Sequence, residues 1–156
     1  MGIDTILLAV GADNDDRVRR LGEETAAVAG PCGSEVVLAH VYTDDEYDRS
    51  RERLNIDPQS EESSPDYVAG RHASIRDLED RMDEDDIETQ VRGVVGERGE
   101  SIVELAEEVE ADRVVVGGRR RSPTGKAVFG SVAQEVMLSA PCPVTFVRQD
   151  LRGSSS

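Results

Sequence analysis

The sequence predicts an α/β fold with a doubly wound, five-stranded parallel sheet, strand order 3-2-1-4-5, and helices on both faces. Three observations support this prediction. Short apolar runs alternate with amphipathic segments along the whole chain. Three of the runs are continuously apolar, as in strands covered on both faces, and a fourth alternates, as in an edge strand. Short connections and right-handed crossovers then leave few possible topologies.

The first two strands and the helix between them have clear sequence signals. "TILLAV", residues 5–10, is a short apolar run that ends at Gly11 and predicts a buried strand. Residues 15–30 have helical spacing with acidic residues at their start, and we expect Gly30 to end this helix. "EVVLAHVY", residues 35–42, predicts a second buried strand.

The middle of the chain is more polar. Residues 43–64 are acidic and polar, and we interpret them as an exposed loop. Residues 66–82 carry an apolar stripe that predicts one helix. Residues 87–95 begin with apolar and polar side chains in alternation, which favours an edge strand.

The last third repeats the alternation. Residues 100–111 predict an amphipathic helix and residues 112–118 a buried strand. A fourth helix is predicted over 131–140 and a last strand over 143–148. The resulting sheet changes winding direction between strands one and four. Ligands of such sheets bind outside the carboxyl ends of the strands at this switch, where the loops begin at Gly11 and Gly117.

Length and charge limit the possible functions. The 156 residues suit one domain, which we place at 1–150, with 151–156 as a disordered tail. A net charge of -15 makes nucleic acid an unfavourable partner. Lys126 is the single lysine among 18 basic residues. An acidic excess with almost no lysine predicts a halophilic archaeon as the source; the alternative is an ordinary acidic protein.

The N-terminal segment and the hydropathy of the chain predict the location of the protein in the cell. The segment "MGIDTILLAV" lacks a basic start and its apolar run is too short for a signal peptide. No apolar stretch approaches the length of a membrane span. We therefore expect a cytoplasmic protein without a membrane partner.

The stretch "VVVGGRRRSPTGKAVFGSVAQEV", residues 114–136, combines glycines with three arginines. Gly117 and Gly118 permit a sharp turn and a close approach of a ligand to the backbone. Ser131 is positioned to cap the last helix, and free N–H groups at a helix start favour an anion. The segment is not a P-loop, and "VGADNDD" lacks the dinucleotide fingerprint. The alternative is that these glycines only turn the chain.

These features resemble the universal stress protein family over about residues 3 to 148. The resemblance rests on "AHVY", "ADRVVVGG" and "FGSVAQEV...APCPVTFVR". One branch of this family binds ATP through G-x2-G-x9-G-[S/T], which Gly117, Arg120 and the pair Gly130-Ser131 match in register. The resemblance implies a Rossmann-like fold and a homodimer, often joined through the last strand.

Carried over residue by residue, the resemblance implies an adenine nucleotide site. Adenine would contact the ends of the first two strands, the ribose would lie along the fourth, and the last helix would donate to the phosphates. The residues are, in that order, Val10 and Val41; Val116 and Gly117; and Gly130, Ser131 and Val132. Two positions depart from the family pattern. Gly11 stands where the ATP-binding branch usually has aspartate, although Asp13 is close by. Arg120 replaces a glycine and either blocks a phosphate or binds it in a bidentate manner.

Three hypotheses remain open on the sequence. The first is a protein that binds ATP, with or without Mg²⁺, as a regulatory ligand in the stress response. The second is a dimeric scaffold of the same fold without a nucleotide. The third, a small enzyme, is disfavoured because no nucleophile and base occur at suitable spacing. We therefore expect at most slow ATP hydrolysis, and we interpret His40 and His72 as structural.

Overall fold

A five-stranded parallel sheet forms the centre of the protein. The computed structural model describes residues 2–11, 15–57, 59, 64–117 and 131–147. The strands are β1 (Thr5–Val10), β2 (Glu35–Tyr42), β3 (Thr89–Val95), β4 (Arg113–Gly117) and β5 (Val144–Val147). Their order is β3-β2-β1-β4-β5, and every neighbouring pair is parallel. The predicted fold class, strand order and edge position of β3 are confirmed.

Six helices cover this sheet within the described ranges. They are α1 (Asp15–Cys32), α2 (Asp44–Arg53), α3 (Pro65–Gly70), α4 (Ala73–Glu84), α5 (Arg98–Glu108) and α6 (Ser131–Ser139). The sheet divides the apolar core into two layers. Side chains at alternate positions of β1, such as Ile6 and Leu8, pack with α1 and α4. Leu7 and Ala9 point the other way and pack with α5 and α6.

The segment predicted as an exposed loop contains a helix, so the loop prediction for 43–64 is wrong. Thr43 caps α2 through a capping box, in which its hydroxyl oxygen accepts the N–H of Glu46 at 3.2 Å and its own N–H bonds the Glu46 carboxylate. Acidic residues occupy the first turn of α2 and arginines the last, which complements the helix dipole. None of its residues is buried, so apolar periodicity could not indicate this helix.

The single helix predicted over 66–82 is divided in two. α3 begins after a Ser64 cap with proline at its start, and α4 begins after His72, whose Nδ1 accepts the N–H of Ser74 at 3.2 Å. α1 also ends later than expected, because it continues past Gly30 to Cys32. The left-handed residue that follows its end is Gly33, with φ of 68°. The remaining predicted elements agree with the structure to within two or three residues at each end.

A side chain at the start of β4 holds the start of β1. The Asp112 carboxylate accepts the backbone N–H groups of Asp4 at 2.9 Å and Thr5 at 3.0 Å. Asp112 directly precedes β4, so this contact joins the starts of two neighbouring strands. Within the described ranges, no helix combines the length and apolar character that crossing a bilayer requires. Residues 151–156, which we predict to be a disordered tail, lie outside the described residues.

The edge strand β3 is covered by α3 through one close backbone approach. The N–H of Gly93 donates to the Asp66 carboxylate at 2.7 Å, so the exposed edge is capped by a side chain rather than by another strand. A Cβ at Gly93 would lie 1.9 Å from the carbonyl oxygen of Pro65 and 3.1 Å from the nitrogen of Asp66. Only glycine fits at this position while α3 keeps its place.

We expect Gly93→Ala to destabilise the fold by about 1–3 kcal/mol, the usual cost of forcing atoms into a packed site. The added methyl group must displace the start of α3, because the obstacle is backbone. Urea unfolding followed by circular dichroism measures the effect. Gly30→Ala is the matched control: nothing lies within 4 Å of its Cβ position, and alanine favours the helix by about 0.5–1 kcal/mol. Equal stability of the two variants would contradict the close approach.

Candidate functional site

The candidate site lies at the carboxyl ends of β1 and β4, where the sheet changes its winding direction. β1 pairs with β2 on one side and with β4 on the other. Gly11 follows β1 directly, and Gly117 is the last residue of β4. The sequence-based location of the switch is therefore confirmed. Its two glycines face different helices, and each is approached by an arginine.

Arg98 approaches Gly11. The position that a Cβ would take at Gly11 lies 3.8 Å from both Cζ and Nε of Arg98 and 3.6 Å from the carbonyl oxygen of Val41. Arg98 is the first residue of α5, and Val41 belongs to β2. The space beside Gly11 is thus bordered by a hydrogen-bond acceptor and by a guanidinium group, which offers donors only.

Glu46 holds this arginine in place. One oxygen of its carboxylate bonds the Arg98 guanidinium, and the other accepts the Thr43 N–H at 2.9 Å. Burial by itself would raise the pKa of Glu46, but the hydrogen bonds from Arg98 and Thr43 together hold that pKa below its usual value. Glu46 therefore stays ionised near neutral pH and connects the start of α2 to the start of α5.

Arg17 approaches the other glycine. A Cβ at Gly117 would lie 2.9 Å from Cδ of Arg17 and 3.5 Å from a methyl carbon of Leu21, both on α1. The aliphatic part of Arg17 thus packs against the end of β4. Any larger residue at position 117 would push this side chain away. Arginines from α1 and α5 consequently flank the switch on the two faces of the sheet.

The structure brings only some of the predicted site residues together. Val10 and Val41 are both buried, but Val10 belongs to the apolar layer of α1 and Val41 to that of α5. One base cannot contact both side chains, so a shared adenine contact would have to use backbone atoms. Val116 is buried and Val132 half-buried in the α5 layer, so their side chains serve the core. Nucleotide contacts by these four residues stay predictions.

Part of the predicted site lies outside the described residues. This part comprises Asp13 and the segment 118–130, with Arg120 and Gly130. Ser131 begins α6, so the predicted start of the last helix is confirmed. α6 packs against α5, on the face of the sheet where Arg98 begins its helix.

Sequence reasoning missed Arg98, Glu46 and Arg17 as site residues. Glu46 and Arg98 are 52 positions apart, and neither belongs to a motif that indicates an ion pair. The spacing of Thr43 and Glu46, which is that of a capping box, was the available signal for the helix but not for the pairing. The chain has 17 arginines, so only the packed structure distinguishes Arg17 and Arg98 from the others.

Beside this site, the rings of the two histidines of the chain lie against each other at an interplanar angle of 42°. The ring centroids of His40 and His72 are 4.1 Å apart, and that of Tyr42 is 4.2 Å from His40. Burial, then the neighbouring His72, lowers the pKa of His40 to about 3, while Glu46 opposes and Arg98 adds to this shift. Within the described residues, no group of three His, Cys, Asp or Glu side chains could hold a metal ion.

Comparisons with known proteins agree with this architecture. A model described as the universal stress protein family matches residues 2–148. A universal stress protein of Mycolicibacterium smegmatis is 33% identical over 86 residues, which cover 53% of this chain and 66% of that protein. A universal stress protein solved in complex with cAMP matches with a TM-score of 0.67 at 22% identity, over 96% of this chain and 99% of its own.

A further solved structure is similar over nearly its full length. It is the universal stress protein from Archaeoglobus fulgidus in complex with dAMP, at 25% identity and a TM-score of 0.59. The match covers 94% of this chain and 99% of that one. The sheet and helices described above are therefore shared with these proteins.

We expect the stability of the protein to fall between pH 6.5 and about 3 in part because of His40. Its pKa is about 3 when folded and near 6.5 when unfolded, so the unfolded chain binds more protons in this window. At pH 4.5 this difference amounts to about 2–3 kcal/mol. Urea unfolding at pH 7 and pH 4.5 measures it, and His40→Gln should lose less stability than the wild type over the same step. An equal loss in both proteins would contradict the assignment.

Proposed function

Because the chain belongs to the universal stress protein family, we propose that it binds an adenine nucleotide at the switch between β1 and β4. We further propose that this nucleotide is ATP, with Mg²⁺ coordinated mainly by its phosphates, as is usual for this ion. The observation that carries the proposal is the similarity to the Archaeoglobus fulgidus protein, a member of the family solved with dAMP, over 94% of this chain.

The groups beside Gly11 suit the edge of an adenine ring. Adenine presents an exocyclic amine that donates and ring nitrogens that accept. The Val41 carbonyl oxygen would accept from the amine, and the Arg98 guanidinium would donate to a ring nitrogen. Arg98 would thus contact the adenine beside Gly11, where the ATP-binding branch usually has aspartate, and it would offer donors in place of acceptors.

The phosphates would bind at the start of α6. The first N–H groups of a helix have no partner within the helix and point at whatever precedes it, and the helix dipole favours an anion there. Gly130, Ser131 and Val132 would supply these donors, and Arg120 would add a bidentate contact. Val116 and Gly117 would lie along the ribose through their backbone.

We propose that the nucleotide acts as a regulatory ligand in the stress response and is at most slowly hydrolysed. The groups that would contact it are backbone amides, a carbonyl and arginines, which bind charge but do not activate water as a base would. This role fits a cytoplasmic protein. The net charge of -15 argues against nucleic acid as its partner.

The second candidate is a dimeric scaffold of the same fold without a nucleotide. One observation favours it: Arg98 is already bonded by Glu46 and lies across the space beside Gly11. In that case the Arg98–Glu46 pair is a plug, meaning that it fills the space a nucleotide would need. Removing Arg98 then opens the site. The two candidates therefore predict opposite effects for the same substitution.

We also propose a homodimer that joins through β5. This strand lies at the edge of the sheet and pairs with β4 on one side. Leu138, on the α6 helix that packs beside β5, is 79% exposed. Burial of this side chain in an interface would remove an apolar group from an otherwise highly charged surface.

We expect the protein to bind ATP with micromolar affinity in molar KCl, and Arg98→Ala to weaken the binding by tenfold or more. The substitution removes a charged donor, whose hydrogen bond contributes about 1.5–3 kcal/mol. Isothermal titration with ATP, ADP and AMP, with and without Mg²⁺, measures the dissociation constants.

Arg92→Ala is the matched control. Arg92 also pairs with a carboxylate, Glu108, at 2.7 Å, but it lies on β3, away from the switch. This variant should bind ATP as the wild type does. Tighter binding by Arg98→Ala would contradict the adenine contact and support the plug, and absence of heat with every nucleotide would overturn the proposal.

For the dimer, we expect Leu138→Glu to raise the dissociation constant at least tenfold, since a charge would be buried at the interface. Ala27→Glu, which adds the same charge at an exposed position of α1 on the opposite face, should leave the dimer intact. Sedimentation velocity at molar salt measures both. If Leu138→Glu dimerises as tightly as the wild type, the interface lies elsewhere.

A further inference from the structure

A second pocket lies beside the candidate nucleotide site, between β2, α2 and the start of α4. Its volume is about 180 Å³. We call it the α2 pocket; it is lined by His40, Tyr42, Glu46, Arg49, Ser50, Arg53 and His72. Neither the family resemblance nor the nucleotide proposal uses this pocket, although Glu46 borders both sites.

Two buried side chains at its wall have polar atoms without a hydrogen-bond partner among the described residues. They are His40, which is 4% exposed, and Tyr42, which is 1% exposed. The atoms without a partner among the described residues are both ring nitrogens of His40 and the hydroxyl oxygen of Tyr42. Leaving such groups unsatisfied costs about 1–3 kcal/mol each, so native structures rarely do so without an occupant. An occupant of the α2 pocket that bonded these atoms would remove this cost.

The charge of the pocket indicates the sign of that partner. Arg49 and Arg53 lie one turn apart on α2, and neither forms an ion pair with any described residue. The carboxylate of Glu46, which also lines the pocket, is already engaged by Arg98 and the Thr43 backbone. Among the residues that the structure describes, these two positive charges therefore have no carboxylate partner. An anion would compensate them.

The two imidazoles contribute donors rather than charge. Burial keeps His40 neutral at physiological pH, so its ring offers one donor and one acceptor. Nδ1 of His72 accepts the Ser74 N–H, which places the proton of a neutral ring on Nε2 and makes Nε2–H a donor. Burial, and then Arg53, lowers the pKa of His72 as well, so the positive charge of Arg53 lies close by.

The volume limits the size of the anion. Pockets for drug-sized ligands have about 300–1,000 Å³. A carboxylate of a few carbons or a single phosphate matches the volume of the α2 pocket better than a whole nucleotide does. Both are planar or compact oxyanions that arginine recognises well.

We propose that the α2 pocket binds a small oxyanion, a carboxylate or inorganic phosphate, which Arg49 and Arg53 hold by charge while His40 and Tyr42 hydrogen-bond it from the buried wall. Glu46 separates this site from Arg98 at the switch. The proposal does not depend on nucleotide binding, because its residues lie on β2, α2 and the start of α4.

The chain itself provides the probe, because it has only two histidines and both line the pocket. Carbon-13 spectra of the imidazole Cε1–H groups therefore give two signals that both report on this site. Sodium phosphate and sodium acetate are titrated separately against sodium chloride at constant ionic strength. We expect both signals to shift to saturation with at least one of the two anions, and the stronger of them identifies the ligand class.

The double variant Arg49→Gln/Arg53→Gln should raise the dissociation constant at least tenfold. Arg51→Gln is the matched control on the same helix, because Arg51 is paired with Asp48 and lies over the Tyr47 ring. It should bind within twofold of the wild type. Since α2 buries no residue, these substitutions leave the core untouched.

Three results would overturn the proposal. The histidine signals could follow only ionic strength, the double variant could bind as tightly as the wild type, or AMP could saturate the signals where phosphate and acetate do not. The last result would make the pocket part of the nucleotide site. Conversely, a failure of ATP to bind in the titration above leaves the phosphate and acetate shifts unaffected, so the two proposals fail separately.

Discussion

The Glu46 carboxylate organises the functional end of the molecule. It completes the cap of α2 by accepting the Thr43 N–H, and it holds the Arg98 guanidinium at the start of α5. No residue of α2 is fully buried, so this contact and the cap, together with the packing of Tyr47 against Tyr42 and Val68, determine where the helix lies. The same carboxylate positions Arg98 beside Gly11 and occupies one wall of the α2 pocket. Two candidate sites thus share one acidic group.

Local charge matters more than total charge in this protein. A net charge of -15 opposes the approach of any anion at low salt, but at 1 M salt the Debye length is about 3 Å, so only adjacent groups act. Arginines are found where an anion would need them: Arg17 and Arg98 flank the switch, and Arg49 and Arg53 border the α2 pocket. Most of the acidic residues that the structure describes are exposed, so solvent and salt screen them.

Elements that bury an apolar face were predictable, and those that do not were missed. β1, β2 and β4 are covered on both sides, so each is a continuous apolar run, and β3 alternates because it lies at an edge. α2 packs only the Tyr47 ring, shows no apolar periodicity and escaped detection, although Thr43 and Glu46 have the spacing of a capping box. The break between α3 and α4 depends on His72 acting as a cap, a role that histidine seldom has in sequence rules.

The sequence by itself determined the fold class, the strand order and the position of the switch, because these follow from which segments must be buried and in what order they occur. It also located both glycines at the switch. Only the tertiary structure decided what surrounds them. Arg98 meets Glu46 across 52 positions, the His40 ring contacts the His72 ring across 32, and Val10 and Val41 turn to opposite layers. Such contacts depend on how separate elements pack in three dimensions. The local sequence pattern does not indicate which distant residues will come into contact.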